Sequence, residues 1–285
     1  MRIVTFQAHG LHAAPGLVRG EDVFMLSAAG FADTLSVIRA GRAGRGRIEE
    51  LLAAPPANAC FRLSSVQLLA PIPRPPKIIC IGLNYRDHAA ETKSEIPKVP
   101  IVFAKYANTI IGPGAPIVLP RNSLKPDYEA EFAFVVGPGG RHIPAAKWRE
   151  HVYGYLCFND VSARDFQLAT SQWTLGKTFD TFAPTGPWLT TADEIADPHQ
   201  LDIQLSIGGE VLQKSNTKNL IFGVPELIEY LSSVMTLEPG DIVTTGTPAG
   251  VGLGRHPHRW LKPGEEVVVE IEGLGTLRNP TVAEA

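Results

Sequence analysis

The ten residues from Asp127 to Val136, DYEAEFAFVV, join a cluster of acidic residues directly to an apolar segment. An apolar run of this length, closed by the glycine- and proline-rich turn at 137–140, predicts a β-strand. Side chains two positions apart on a strand point the same way. Glu129 and Glu131 are therefore expected to project from one face, where the strand begins.

These two glutamates predict a cation at the start of the strand. Carboxylates held this close repel each other, and a bound cation removes that repulsion. Oxygen ligands of this kind suit Mg²⁺, Mn²⁺ or Ca²⁺ rather than zinc. On these residues alone a second interpretation stays open, in which Glu129 and Glu131 lie on an exposed, solvated strand face.

Other segments extend the strand pattern along the chain. Lys77–Ile81 is a candidate buried strand, and Leu201–Ile207 alternates apolar and polar residues before the glycine pair at 208–209. That pair predicts a β-hairpin returning over Glu210–Gln213. Val224–Met235 has the spacing of an amphipathic helix. Mostly short strands with few helices predict a mainly β fold with flanking helices (α+β), a sandwich or barrel-like roll rather than a doubly wound sheet.

The proline-rich segment APIPRPP at 70–76 marks the expected domain boundary. So many prolines cannot lie inside a helix or a central strand, so this segment is predicted to be an extended connector. We expect a small N-terminal domain over residues 1–70 and a larger domain over residues 71–285. Within the first, Phe31, Leu35 and Ile38 repeat at helical spacing, and a second candidate helix follows Arg47.

Composition narrows the function classes. The chain has 285 residues, a formal net charge of −3 and no dense basic face, so we expect no nucleic-acid partner. No apolar run is long enough to cross a bilayer, so we expect no membrane partner. Cys60, Cys80 and Cys157 lack metal-type spacing and are interpreted as buried, reduced thiols. The first ten residues lack the apolar core of a secretory signal, and we expect a cytoplasmic protein.

A histidine and a glutamate follow the candidate strand at 77–81. If the chain is helical from Asn84 onward, His88 and Glu91 lie three residues apart on one helix face. A carboxylate beside an imidazole orients the ring and raises its basicity, and this pairing can take a proton from water. The alternative of a surface histidine with a neighbouring acid stays open.

Two further segments carry polar chemistry. Asp160 follows the apolar segment Gly154–Phe158, where it is either a further acid of the site or a turn former or helix cap. The run TGTPAGVGLG at 245–254 lacks the lysine and hydroxyl pair of a nucleotide P-loop, and Pro248 breaks the strand–loop–helix context. We interpret this run as an irregular loop whose hydroxyls and backbone N–H groups bind a carboxylate.

Taken together, six motifs occur in a fixed order. They are GLNYRDH at 82–88 with Glu91, PIVFAK at 100–105, DYEAE at 127–131, NDVSARD at 159–165, GKTFD at 176–180 and TGTPAGVG at 245–252. Over residues 72–285 the chain thereby resembles the fumarylacetoacetate hydrolase superfamily, of the bacterial acylpyruvate hydrolase or 2-oxo acid decarboxylase-isomerase type. The resemblance implies a mixed β-sandwich roll with a small variable N-terminal domain.

The resemblance also implies a metal centre. Glu129, Glu131 and Asp160 match the three metal-binding acids of the family, with Mg²⁺ or Mn²⁺ as the expected ion. Lys177 matches the lysine beside the metal, which stabilises the oxyanion charge as it develops.

Five other residues match positions near the substrate. His88 and Glu91 match the dyad on a mobile lid that activates water. Arg164 and Gln167 match side chains that contact the substrate, and Thr247 matches a hydroxyl near its carboxylate. These roles are implied by the resemblance alone.

The expected activity follows from these positions. The resemblance implies a Mg²⁺-dependent hydrolase that cleaves a C–C bond in a small 2,4-dioxo acid, such as an acylpyruvate or fumarylpyruvate, through an enolate on the metal. The alternatives are an oxaloacetate decarboxylase and an isomerase or decarboxylase of dienoic 2-oxo diacids in aromatic catabolism. A non-enzymatic binding protein of this fold would be expected to lack a metal acid, and all three are present. A homodimer is expected by analogy with the family.

Overall fold

The computed structural model describes residues 1–285. The strands are β1 (Arg2–Ala8), β2 (Ala14–Arg19), β3 (Asp22–Met25), β4 (Cys60–Arg62), β5 (Val66–Leu69), β6 (Ile78–Gly82), β7 (Ile101–Lys105), β8 (Ile110–Ile111), β9 (Ile117–Leu119), β10 (Pro126–Asp127), β11 (Ala130–Val136), β12 (Val152–Asn159), β13 (Ser162–Ala163), β14 (Ala183–Thr191), β15 (Asp202–Ile207), β16 (Glu210–Asn216), β17 (Ile242–Thr244), β18 (Glu266–Ile271) and β19 (Gly275–Ala283). The helices are α1 (Thr34–Ala53), α2 (Arg86–Glu91), α3 (Trp148–His151), α4 (Arg164–Gln167), α5 (Thr174–Lys177) and α6 (Val224–Val234).

A twelve-stranded sheet organises the chain. Its main path runs β4-β3-β2-β1-β14-β12-β11-β17-β6-β7, while β5 pairs with β1 and β8 pairs with β14. The predicted strand after the acidic cluster is β11, which lies inside this sheet between β12 and β17. Every residue of β11 is buried, so both faces of this strand are covered.

The two faces of β11 contribute to different cores. Phe132 and Phe134 belong to one apolar cluster together with Leu205 of β15, whereas Ala133 and Val135 belong to a second cluster on the opposite side. This arrangement follows from the two-residue period of a strand. Full burial of a large apolar side chain contributes about 1.5–3 kcal/mol, so packing of β11 fixes the positions of Glu131 within the strand and Glu129 just before it.

The second sheet has five strands in the order β16-β15-β18-β19-β9. The predicted hairpin is confirmed as β15–β16, in which Ile207 pairs with Glu210 across a two-residue turn. Gly208 and Gly209 have φ values of 58° and 85°, which a two-residue hairpin turn requires and glycine adopts without strain. The predicted mainly β, mixed roll with flanking helices is therefore confirmed.

The helical predictions are also close to the structure. The helix predicted over Val224–Met235 is α6, with proline in its first turn. The two candidate helices of the N-terminal segment form one element, α1, which Asp33 caps by accepting a hydrogen bond from the Ser36 backbone N–H at 2.7 Å. Gly41 interrupts α1 with a φ of 51°, so the two helical patterns meet at a kink.

The expected domain boundary falls between β5 and β6. Strand β1 pairs with β14, with Arg2 opposite Thr190, so the large sheet continues across that position. The division into residues 1–70 and 71–285 stays a prediction. A bilayer-spanning helix would need more length or more apolar character than any helix here has.

Candidate active site

Three buried acids lie together where β11 and β12 adjoin. The antiparallel pairing of these strands sets Ala130 opposite Asn159, which brings the residues before β11 beside the residue after β12. The Asp160 backbone N–H donates to the Glu129 carbonyl at 2.9 Å. One carboxylate oxygen from each of Glu129, Glu131 and Asp160 lies within 4.8 Å of the others. The solvated strand face is therefore the wrong interpretation of these glutamates.

Two buried lysines neutralise part of this cluster. Lys177 Nζ lies 2.6 Å from Glu129 Oε2 and 2.8 Å from Asp160 Oδ2. Lys105 Nζ lies 2.6 Å from Asp160 Oδ1 and also donates to the Val161 carbonyl. Lys105 was not predicted as a site residue, although it ends the PIVFAK motif. Its contact with Asp160 joins positions 55 residues apart, which only the fold brings together.

Glu131 differs from the other two acids in its partners. No lysine or arginine lies within ion-pair distance of its carboxylate, which accepts a hydrogen bond from the Gly246 backbone N–H at 3.0 Å. Burial and the charges of Asp160 and Glu129 raise the pKa of Glu131 well above its usual range. Burial acts in the same direction on Glu129, yet the charges of Arg164 and Lys177 prevail and lower the pKa of Glu129 to about 2.

The donor set fits a divalent cation. It offers three carboxylates within bridging distance of one another, of which Glu131 lacks a cationic partner. An uncompensated buried carboxylate is costly, and a cation at this point would stabilise its ionised form. Mg²⁺ and Mn²⁺ prefer oxygen ligands of this type. Glu129, Glu131 and Asp160 would hold such an ion.

The short helix α2 brings His88 against Glu91. His88 Nδ1 lies 3.0 Å from Glu91 Oε2, and Glu91 Oε1 accepts a hydrogen bond from the Gly250 backbone N–H at 2.8 Å. Burial opposes ionisation of Glu91, but the hydrogen bonds from His88 and Gly250 lower its pKa below the usual value. An ionised Glu91 holds a proton on Nδ1 of the imidazole, so the other ring nitrogen is left as the acceptor.

Asp127 connects Arg164 to the glycine-rich loop. Its carboxylate accepts hydrogen bonds from Arg164 Nε at 2.8 Å and from the backbone N–H groups of Tyr128, Gly252 and Leu253 at 2.8, 2.7 and 2.9 Å. A Cβ at Gly252 would lie 2.5 Å from Asp127 Oδ1, so this close approach requires glycine. The sequence interpretation assigned no site role to Asp127, although it opens the DYEAE motif.

The guanidinium of Arg164 is held on three sides. Besides Asp127, it lies 2.6 Å from Glu129 Oε1 through Nη2 and donates to Gln167 Oε1 at 2.8 Å through Nη1. Thr247 lies in the irregular loop, where its hydroxyl donates to the Ala130 carbonyl at 2.9 Å.

One cavity of about 260 Å³ contains most of the predicted site residues. Those in its lining are His88, Glu129, Glu131, Arg164, Gln167, Lys177 and Thr247. The other two lie directly behind the lining: Glu91 contacts His88, and Asp160 contacts Lys177. A larger open cleft of about 570 Å³ beside β15 and β18 includes none of these residues, so the smaller cavity is the candidate site.

An aromatic and aliphatic wall completes the cavity. Its members include Gly82, Ile101, Phe103, Leu168 and Trp173, and none of them was predicted as a site residue. Phe103 lies inside the PIVFAK motif and Trp173 lies three residues before GKTFD, but their contact depends on the packing of β7 against α5.

Several known proteins are similar to this chain in sequence and in structure. The family description "Fumarylacetoacetate (FAA) hydrolase C-terminal" matches residues 77–282. The chain is 44% identical over 291 aligned residues to "Oxaloacetate tautomerase FAHD2A, mitochondrial" of Bos taurus, a match that covers 99% of this chain and 92% of the relative.

Solved structures agree with that match. Fumarylacetoacetate hydrolase from Exiguobacterium antarcticum superposes with a TM-score of 0.87 at 34% identity, with both chains fully covered. Maleylpyruvate hydrolase from Sphingobium sp. SYK-6, solved with manganese(II) and pyruvate, superposes with a TM-score of 0.84 at 31% identity, again over both full chains. This chain is an enzyme of the fumarylacetoacetate hydrolase family.

Proposed function

We propose that this enzyme interconverts the keto and enol forms of oxaloacetate, or of a closely related 2-oxo diacid, with Mg²⁺ or Mn²⁺ held by Glu129, Glu131 and Asp160. The observation that carries the proposal is the buried acid cluster opening into the same cavity as His88. The bovine relative is named for oxaloacetate tautomerisation, and its similarity extends over nearly the whole chain. That similarity supports oxaloacetate over a 2,4-dioxo acid as the substrate.

Charge stabilisation is the main chemical task of this site. When bound, the divalent cation supplies positive charge that attracts the 2-oxo acid group and stabilises negative charge on its oxygen. Lys177 adds a second positive charge, since its ammonium lies between Glu129 and Asp160 and also lines the cavity. Charges fixed in place before the reaction stabilise a developing oxyanion effectively in a buried site.

The proton transfer is assigned to His88. Its free ring nitrogen takes a proton from carbon 3 of the keto acid, the C–H electrons form the C2–C3 double bond, and the electrons of the carbonyl double bond move to the 2-oxo oxygen. That oxygen then takes a proton from the imidazolium, directly or through water, which gives the enol and regenerates neutral His88. The two forms differ only in the position of one proton and the double bond. Glu91, at 3.0 Å from Nδ1, orients the ring and stabilises the imidazolium.

Substrate orientation is assigned to Arg164, Gln167 and the loop at Thr247. All three line the cavity, and Asp127 fixes the direction of the Arg164 guanidinium. A rigid guanidinium recognises a carboxylate with defined geometry.

A second candidate function is hydrolysis of a 2,4-dioxo acid. The His88–Glu91 contact favours it, because the same imidazole can take a proton from water that adds to the distal carbonyl. The C3–C4 bond would then break to give pyruvate and the second acid. Decarboxylation of oxaloacetate is a related alternative, in which the C3–C4 bond breaks to release carbon dioxide without a base.

A substrate panel separates these activities. Protein stripped with chelator and resupplied with Mg²⁺ or Mn²⁺ is assayed for enol–keto conversion of oxaloacetate, carbon dioxide release from oxaloacetate and hydrolysis of fumarylpyruvate. We expect enol–keto conversion to be the fastest and to depend on the metal. Faster fumarylpyruvate cleavage would instead establish the hydrolase, and faster carbon dioxide release the decarboxylase. The homodimer is a further proposal, tested by light scattering. The mitochondrial name of the bovine relative does not support the expected cytoplasmic location, which cell fractionation tests.

A further inference from the structure

A tryptophan from a surface segment forms part of the cavity wall. Residues 168–172 are all exposed, and Leu168 is 59% exposed. Trp173, directly after them, is half-buried and lines the cavity. The segment therefore contributes Trp173, a large aromatic side chain, and the partly exposed Leu168 to the cavity lining, while residues 169–172 are exposed.

Gly82 provides the space that the Trp173 ring occupies. A Cβ built at Gly82 would lie 2.3 Å from Cζ3 and 3.0 Å from Cη2 of Trp173, closer than non-bonded atoms approach. Any side chain at position 82, at the end of β6, would displace the ring. The edge of the Trp173 ring thus packs directly against Gly82 in the cavity wall, in the space that a side chain at position 82 would need.

Phe103 connects this wall to the reactive end of the cavity. Its ring meets the Trp173 ring edge-on, with centroids 5.6 Å apart at 71°. On its other side, the ring centroid lies 5.1 Å from Lys177 Nζ. The cavity lining therefore continues from Lys177 through Phe103 to Trp173.

We infer that Trp173 is a specificity-determining residue that limits the length of the substrate beyond its 2-oxo acid group, so that short 2-oxo diacids fit and longer, unsaturated ones are disfavoured. This inference rests on the proposed function and names the substrate class of the same site. The small cavity supports it, because an indole ring is large relative to a volume of about 260 Å³. Moreover, hydrophobic walls discriminate by size at about 10–200-fold for one methylene.

The test compares two ligands by calorimetry on manganese-loaded protein. Oxalate probes the 2-oxo acid end, and fumarylpyruvate probes the added length. We expect Trp173→Ala to lower the ratio of the fumarylpyruvate dissociation constant to the oxalate constant by about tenfold or more. Leu175→Ala is the matched control, since Leu175 is 72% exposed on the neighbouring helix and lies outside the cavity lining. A ratio within about twofold of wild type in Trp173→Ala would overturn the inference.

Gly82→Ala provides a second, opposite change. The added methyl displaces the Trp173 ring, and a displacement into the cavity is expected to raise the same ratio. In the Gly82→Ala, Trp173→Ala double variant the methyl meets no ring, and the effect of Gly82→Ala is expected to disappear. An equal effect of Gly82→Ala with and without Trp173 would show that the contact does not control length.

Failure of the length limit set by Trp173 can be distinguished from failure of the proposed reaction. If wild-type protein binds both ligands but does not convert oxaloacetate, the proposed reaction is wrong while the ratio still tests Trp173. If it converts oxaloacetate and the ratio is unchanged in Trp173→Ala, the reaction stands and the length limit is wrong.

Discussion

The ammonium of Lys177 bridges Glu129 and Asp160, at 2.6 and 2.8 Å, inside a cluster of buried acids. A buried lysine with two carboxylate partners is held charged, and these neighbours raise its pKa although burial opposes them. Because the same side chain lines the cavity, this charge is available to the substrate as well as to the acids.

Removal of the Lys177 ammonium is expected to abolish most activity. Lys177→Ala should lower the rate of oxaloacetate enol–keto conversion by about 10²–10³, the effect of removing one oxyanion donor. Lys218→Ala, an exposed lysine, serves as the control. Steady-state kinetics measure both, and a near-normal rate in Lys177→Ala would remove this residue from the mechanism.

The dyad is expected to distinguish proton transfer from decarboxylation. His88→Ala should slow enol–keto conversion by about 10²–10⁴, because a positioned base is lost. Metal-dependent carbon dioxide release from oxaloacetate needs no base and is expected to survive. The exposed His12→Ala is the control. Equal losses of both activities would contradict the assignment of His88 as the base.

Asp127 is expected to contribute to both stability and substrate binding. Asp127→Asn keeps the size of the side chain but replaces one carboxylate oxygen by an NH2 group. That NH2 group faces at least one of the four donors that now bond to the carboxylate, so a hydrogen bond is lost. We expect a loss of about 3 kcal/mol in the free energy of unfolding and a higher KM, because Arg164 loses one of its two carboxylate partners. Urea unfolding measures the stability and steady-state kinetics measure KM. The control is Asp197→Asn, since the Asp197 side chain is about half-exposed. Unchanged stability would show that the Asp127 carboxylate is not essential to this network.

Thiol reactivity provides an independent check of the core. Cys60 is exposed, whereas Cys80 and Cys157 are buried, and burial raises the pKa of both buried thiols. Since the thiolate is the reactive form, native protein is expected to react rapidly at Cys60 alone. All three should react in denaturant. Mass spectrometry after brief alkylation identifies the labelled positions, and rapid native labelling of Cys80 would contradict its position in the sheet.

Several strands and helices could be predicted from local patterns in the sequence. The strand after Glu131 and the hairpin at Gly208 and Gly209 depend on the period and turn chemistry of neighbouring residues, so both could be predicted. The three acids could also be grouped, because their motifs resemble one family. The kink at Gly41 was not foreseen, since a helical pattern on both sides does not reveal where the backbone leaves the helix.

Contacts between distant segments could not be predicted in the same way. Lys105 reaches Asp160 only because β7 and β12 belong to one sheet, and Trp173 reaches Gly82 only because α5 packs near β6 and β7. No periodicity specifies which strands become neighbours, so these partners appeared only in the structure.

Glu131→Gln tests whether the acid cluster holds the cation that catalysis requires. Its carboxylate has no lysine or arginine partner, so its replacement leaves the ion pairs of the cluster in place. Manganese affinity and oxaloacetate enol–keto conversion are measured in chelator-stripped wild type, Glu131→Gln and the exposed control Glu50→Gln. We predict that manganese restores activity to wild type and control, and that Glu131→Gln binds manganese at least about tenfold more weakly. Full activity of the stripped wild type would show that catalysis does not require the cation, and unchanged manganese affinity in Glu131→Gln would show that Glu131 does not hold it.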